Sequence, residues 1–158
     1  MGVSGCGKSH IAARVAQQCA LPFIEGDSFH TDSSRALMAR GIALTDADRA
    51  HWLTTLGDEL RRHADGAVLS CSALRLAYRD QLRQARPGLR FAWLDLDIAS
   101  ARARVAARPG HFFPPGLVDT QFATLQSPLG EPGVLRVDAL RPPQDIAADV
   151  ARWLAAPA

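Results

Sequence analysis

At 158 residues and a net charge of +2, the chain has room for one domain with a real core and carries no basic excess of the kind that marks a nucleic-acid binder. Apolar residues make up 47% and charged residues 22%, the balance of an ordinary globule, and no apolar stretch has membrane-spanning length. Three cysteines, Cys6, Cys19 and Cys71, exclude a disulfide framework and a cysteine metal cluster. The expected setting is therefore the cytoplasm, without membrane or nucleic-acid partners.

The first element is a loop. Gly2-Val3-Ser4-Gly5-Cys6-Gly7-Lys8-Ser9 satisfies the phosphate-loop pattern G-x-x-x-x-G-K-[ST] at every fixed position. Four such positions co-occur by chance in about one chain of this length in a hundred or fewer. Glycines let the backbone turn left-handed and bring N–H groups close to phosphate oxygens. A helix opening near Lys8 points its positive end at the same anion. The motif thus assigns nucleotide contacts to Gly2, Ser4, Gly5, Cys6, Gly7, Lys8 and Ser9. Lys8 supplies a point charge for the β- and γ-phosphates, and the Ser9 hydroxyl a ligand for Mg²⁺.

Ile11, Val15, Ala16 and Cys19 recur at helical spacing from Lys8 to Cys19. Pro22-Phe23-Ile24 reads as a short strand running into Glu25-Gly26-Asp27, which places carboxylates at a strand's C-terminal end, where open α/β sheets gather their sites. A short helix is expected around Arg35 to Arg40. Thr45-Asp46-Ala47-Asp48 resembles a capping box, opening a helix with Trp52, Leu53, Leu56 and Leu60 on one stripe and an end near Asp65-Gly66. Ala67 to Cys71 is a buried strand, Leu74 to Arg86 a basic helix, and Phe91 to Leu94 the next strand. Ala99 to Ala107 is helical, and Arg108-Pro109-Gly110 stops it. His111 to Gly116 forms a shaped loop, the start of a lid segment over roughly residues 108–126. Leu117, Val118, Phe122 and Leu125 make a further helical stripe. Val134 to Val137 is the last strand, and Pro142 or Pro143 opens the terminal helix. Trp52, Trp93 and Trp153 all fall on apolar stripes and are expected in the core.

Alternating strands and helices predict a single α/β domain: a phosphate-loop-type parallel sheet covered by helices on both faces. Four strands are visible where five are expected. The fifth, central strand should precede Gly2, where only Met1 stands, and the expectation is that the true start lies upstream.

Four separate segments, in order, resemble the gluconate kinases, small relatives of shikimate and adenylate kinases. They are the phosphate loop; Glu25 to His30 with Leu44 to Arg49 and Trp52-Leu53; Cys71 to Leu74 with Tyr78-Arg79-Asp80; and Arg104 to Arg108 with Gly110 to Phe113 and Gln121 to Leu125. The resemblance implies ATP-dependent phosphorylation of D-gluconate to 6-phospho-D-gluconate, with Mg²⁺, and suggests a homodimer. It makes Asp27 the carboxylate that orients or deprotonates the attacking hydroxyl, and lets Glu25 reach a water on Mg²⁺. Arg49 and Arg79 match family positions that grip an anionic polyol, with His30 and His111 as further substrate contacts. Arg108 is the lid arginine that steadies charge in the transition state, and Arg104 stacks on adenine. Thr31, Ser34, Leu37, Ala43 and His51 depart from the family pattern, which holds Pro, Asn, Lys, Pro and Pro there. Two alternatives remain open at this point: another small-metabolite kinase, shikimate-like or acting on a different sugar acid, and a non-catalytic nucleotide-binding fragment.

Overall fold

The computed structural model describes residues 1–107 and 116–156. Helix α1, Lys8–Cys19, leads to strand β1, Phe23–Glu25, and a 3₁₀ turn over Gly26–Phe29. Helices α2, Asp32–Ala39, and α3, Asp46–Arg62, precede strand β2, Val68–Ser70. Helix α4, Leu76–Ala85, strand β3, Phe91–Asp95, and helix α5, Ile98–Ala106, follow. Helix α6, Gly116–Thr124, strand β4, Val134–Asp138, and helix α7, Pro143–Ala155, complete the described chain.

Local chemistry sets the boundaries. The Thr45 hydroxyl accepts from the Asp48 N–H while the Asp48 carboxylate accepts from the Thr45 N–H, so the expected capping box opens α3. Pro143 stands in the first turn of α7, where its missing N–H costs nothing. Several expected limits move inward, two of them by more than one residue. Helix α3 stops at Arg62, short of Asp65-Gly66, and α4 begins at Leu76 rather than Leu74. The second shift has a clear cause: the carbonyls of Ala73 and Leu74 are taken by the buried Arg79 side chain, and Ala73 adopts φ 45°.

Helices α1 and α7 pack together over one side, with Ile11, Val15, Ile146 and Val150 in a core shared with Leu94 and Val137. Helices α3 and α4 pack over the other, where Trp52, Leu53, Leu56 and Leu82 meet Ile24, Cys71 and Phe91. Trp52 and Trp93 are buried as expected. Trp153 is only half-buried, with the Arg90 guanidinium over its ring at 4.1 Å.

The sheet forms as two parallel pairs, β1 with β2 and β3 with β4. Residues 1–3 lie between them. The Met1 amine donates to Ala92 O at 2.6 Å, and the Leu94 N–H donates to Met1 O at 3.0 Å, the stagger of parallel strands. On the other side the Gly2 N–H donates to Ser72 O at 3.2 Å. Residues 1–3 thus take the central place in the sheet, between Ser72 on one side and Ala92 and Leu94 on the other. Beneath Met1 a cavity of about 120 Å³ separates β2 from β3, walled by Val15, Leu69, Phe91 and Leu154. Burial of the Met1 amine pulls its pKa down to about 6.

Candidate active site

The phosphate loop emerges from this central position. Gly5 at φ 84° and Gly7 at φ 91° take the left-handed angles the motif requires. A Cβ on Gly5 would also stand 2.9 Å from Ala101 O, so the loop is pressed against α5. Cys6 is buried and packs among Val3, Leu94 and Val105 in the core, so it offers the loop its backbone rather than its thiol. Lys8 folds back along the loop, its Nζ donating to Val3 O at 3.0 Å. The Ser9 hydroxyl lies 3.4 Å from that of Ser70, at the end of β2.

Glu25 closes β1, and its carboxylate accepts from the Asp27 N–H at 3.4 Å. The 3₁₀ turn that follows is pinned from α3, where Trp52 Nε1 donates to Gly26 O at 2.8 Å. His30 stacks on the same indole, centroids 4.4 Å apart and planes within 13°. Its Nε2 is 3.9 Å from Asp27 Oδ1, and its buried Nδ1 has no hydrogen-bond partner among the described residues. Burial lowers the His30 pKa, against the opposing pull of Asp27, so the ring is neutral at pH 7.

Two cavities meet here. The larger, about 760 Å³, is lined by Gly5, Gly7, Ser9, Glu25, Arg35 and Arg104, among others. The narrower, about 40 Å³, is lined by His30, Arg49, Ser72, Thr120 and Gln121, over an apolar floor that includes Met38, Ala43 and Leu44. Ser4, Lys8 and Asp27 line both. Arg104 donates to Ala139 O at 3.1 Å and to Gly5 O at 3.4 Å. It also borders a third recess of about 470 Å³ with Gly5, Cys6, Gly7, His10 and Pro142.

The fold thus brings together Ser4, Gly5, Gly7, Lys8, Ser9, Glu25, Asp27, His30, Arg49 and Arg104. Gly2 supports the loop from beneath, where a Cβ would meet Leu94 O. Arg79 is a correction. It is fully buried, and its guanidinium donates to Glu131, Ala73 O, Leu74 O and Gln126 O, away from both cavities. Arg108, His111 and the first part of the expected lid lie outside the described residues. No role was expected of Arg35 or of the polar side chains of α6, although Gln121 and Thr124 stand in a segment that resembles the family. Arg35 donates to Ser28 O at 2.7 Å and His30 O at 3.1 Å, bracing the outer side of the turn. No spacing rule singles it out, and on α6 the apolar stripe masked Thr120 and Gln121.

A donor set of one hydroxyl and one carboxylate beside a phosphate cradle suits a hard divalent ion held largely by phosphate oxygens and water. Among the described residues no group of three His, Cys, Asp or Glu is placed to hold a metal ion.

A glycine-rich cradle with its lysine, opening onto a second cavity across an aspartate, defines a small phosphate-loop kinase acting on an alcohol. A model of the shikimate kinase family matches residues 4–120. The thermoresistant gluconokinase of Escherichia coli K12 is 41% identical over 152 residues, 94% of this chain and 87% of that protein. A gluconokinase structure from Sinorhizobium meliloti 1021 is 41% identical with a TM-score of 0.86, covering 98% of this chain and 92% of its own. An unliganded sugar kinase from Janibacter sp. HTCC2649 is 39% identical with a TM-score of 0.92, covering 98% and 91%. The chain belongs to the gluconokinase family, within the wider group of shikimate kinases.

Proposed function

We propose that this chain transfers the γ-phosphoryl group of ATP to the 6-hydroxyl of D-gluconate, releasing ADP and 6-phospho-D-gluconate. The observation that carries the reading is the shared lining of the two cavities by Ser4, Lys8 and Asp27. A triphosphate in the loop ends beside the carboxylate that faces the acceptor pocket. Asp27 accepts or orients the hydroxyl proton, and Lys8 swings from Val3 O to the phosphates. Ser9, with Glu25 through water, would hold Mg²⁺, which supplies charge neutralisation at the β- and γ-oxygens. Arg49 and neutral His30 take the carboxylate and hydroxyls of the acid, and Arg104 flanks the base. Arg108 and His111 complete this reading from the lid.

The test is ADP release from MgATP with and without D-gluconate. Lys8→Ala and Asp27→Asn should each lower kcat by roughly 10²–10⁴-fold. Wild-type protein that turns over no gluconate refutes the substrate. Ala43 and Leu44 give the acceptor pocket an apolar floor at one of the departures from the family pattern, so a panel of other sugar acids belongs in the same assay.

A further inference from the structure

Helix α6 reaches the phosphate loop through one side chain. The Ser4 N–H donates to Gln121 Oε1 at 2.6 Å, across 117 residues of sequence. Ser4 is one of the three residues common to both cavities, and Gln121 lines the narrower one with Thr120 and Thr124, facing His30 and Arg49. The helix behind it is well anchored. Leu117 and Val118 are buried in the core, and Asp119 accepts from Arg102 Nε of α5 at 3.0 Å. The position of Gln121 is therefore set by packing and not by its contact with the loop.

A primary amide has two ends of opposite character: an oxygen that accepts and an NH₂ that donates twice. Here the oxygen is taken by a loop amide. The NH₂ belongs to the same small planar group on the wall of a pocket whose proposed occupant presents a row of hydroxyl and carboxylate acceptors. We propose that Gln121 is a positioning and specificity residue, its oxygen holding Ser4 in register while its NH₂ reads an acceptor oxygen of the sugar acid. Occupancy of the acceptor pocket is thereby coupled to the geometry of the phosphate loop. A polyol acid engages the NH₂ without disturbing Ser4 and so adds a second restraint to an amide already bonded to the loop, whereas water in the same pocket leaves that second restraint unmade.

This rests on the proposed gluconate reading, so wild-type turnover of gluconate is measured first. Its absence refutes that reading and this inference together. Two variants then separate the two ends of the amide. Gln121→Glu keeps an acceptor for the Ser4 N–H, loses the donors and sets a negative charge against an anionic substrate. Gln121→Ala loses both ends. Both should raise KM for gluconate at least tenfold. Only Gln121→Ala should also lose coupling, read as a fall of tenfold or more in the ratio of gluconate-dependent to gluconate-independent ADP release at saturating gluconate. Melting temperatures within about 2 °C of wild type are expected for both, since neither end of the amide packs the core. Wild-type turnover with KM for gluconate and the release ratio unchanged within twofold in both variants overturns the inference alone. A parallel loss of kcat and melting temperature, with KM unchanged, assigns Gln121 a purely structural role and overturns it equally.

Discussion

Replacing Arg79 by methionine separates two roles that one arginine can play. The side chain is fully buried, 0% exposed, and its whole donor fork is in use. Nε lies 3.0 and 3.1 Å from the Glu131 carboxylate oxygens, Nη1 reaches Ala73 O at 2.9 Å and Leu74 O at 3.1 Å, and Nη2 reaches Gln126 O at 3.1 Å. The group therefore ties the loop after β2 to the segment after α6. Arg79→Met keeps similar volume but leaves three carbonyls without this donor and Glu131 with Arg83 alone, at 2.9 Å. Breaking a buried pair by removing one partner costs about 3–5 kcal/mol. For a chain of this size that is a fall in Tm of roughly 6–20 °C. Calorimetry or urea unfolding measures it, and gluconate kinetics well below the melting range measure the site. KM for gluconate should stay within about threefold. The same network sets an acid limb. Hydrogen bonds from Arg79, then those from Arg83, hold the Glu131 pKa below its usual value. Its contribution is complete above the ordinary carboxylate range and is lost as pH falls through the depressed folded value. Glu131→Gln should remove that limb. An Arg79→Met protein that melts within 2 °C of wild type while KM rises tenfold would show that Arg79 serves the substrate, and the argument would fail.

Gly26→Ala should be poorly tolerated, because a Cβ there would run into the Ser70 carbonyl oxygen; a Tm loss with reduced kcat is expected, and unchanged kinetics would show that the turn carrying Asp27 can shift freely. Thiol labelling at pH 8 should mark half-buried Cys19 first, since Cys6 is buried and burial pushes the Cys71 thiol up to about 12; rapid modification of Cys71 would show that the end of β2 opens readily. In an NMR titration His30 should protonate below the ordinary histidine value, and Asp27→Asn should lower it further by removing the opposing charge. Because the folded-state value is the lower one, charging His30 opposes folding as pH falls below the unfolded value, and His30→Gln should flatten that limb.

The phosphate loop and the capping box were legible because each is fixed by chemistry local in sequence. The glycine angles, the Lys8 and Ser9 positions and the Thr45–Asp48 exchange need no distant partner. The arginines show where such reading stops. Arg49 and Arg79 both sit on polar helical positions after a matching motif, yet Arg49 lines the acceptor cavity while Arg79 is caged by Glu131 and three carbonyls. Only the path of the backbone distinguishes them. Trp52 was legible as a core residue but not as a support of the site, because its indole N–H meets Gly26 O across 26 residues. Gln121 stood in a segment that resembles the family but carried no role, for the complementary reason: a helix recognised by its apolar stripe says nothing about what its polar face meets.

Phosphoryl transfer depends on placement and on charge at the right moment, and under the proposed reading these tasks fall to different kinds of group. Asp27 is placed through main-chain atoms and stacked rings, with Glu25 and Arg35 bonding peptide groups of its turn. The Trp52 indole holds Gly26 and stacks on uncharged His30, while the peptide N–H of Asp27 itself is capped by Glu25. The loop is placed the same way, by the Gln121 amide and by close packing of Gly5 on α5. Among the described residues Lys8 is held through one backbone carbonyl, a bond that a phosphate oxygen can replace with a stronger, charge-assisted one. Had an acidic side chain held Lys8 instead, nucleotide binding would first have to break an ion pair. A scaffold bonded through main-chain atoms, with the lysine lightly parked, is an arrangement that the triphosphate of the proposed reading would complete, at the C-terminal ends of the strands where β1, β2 and the loop converge.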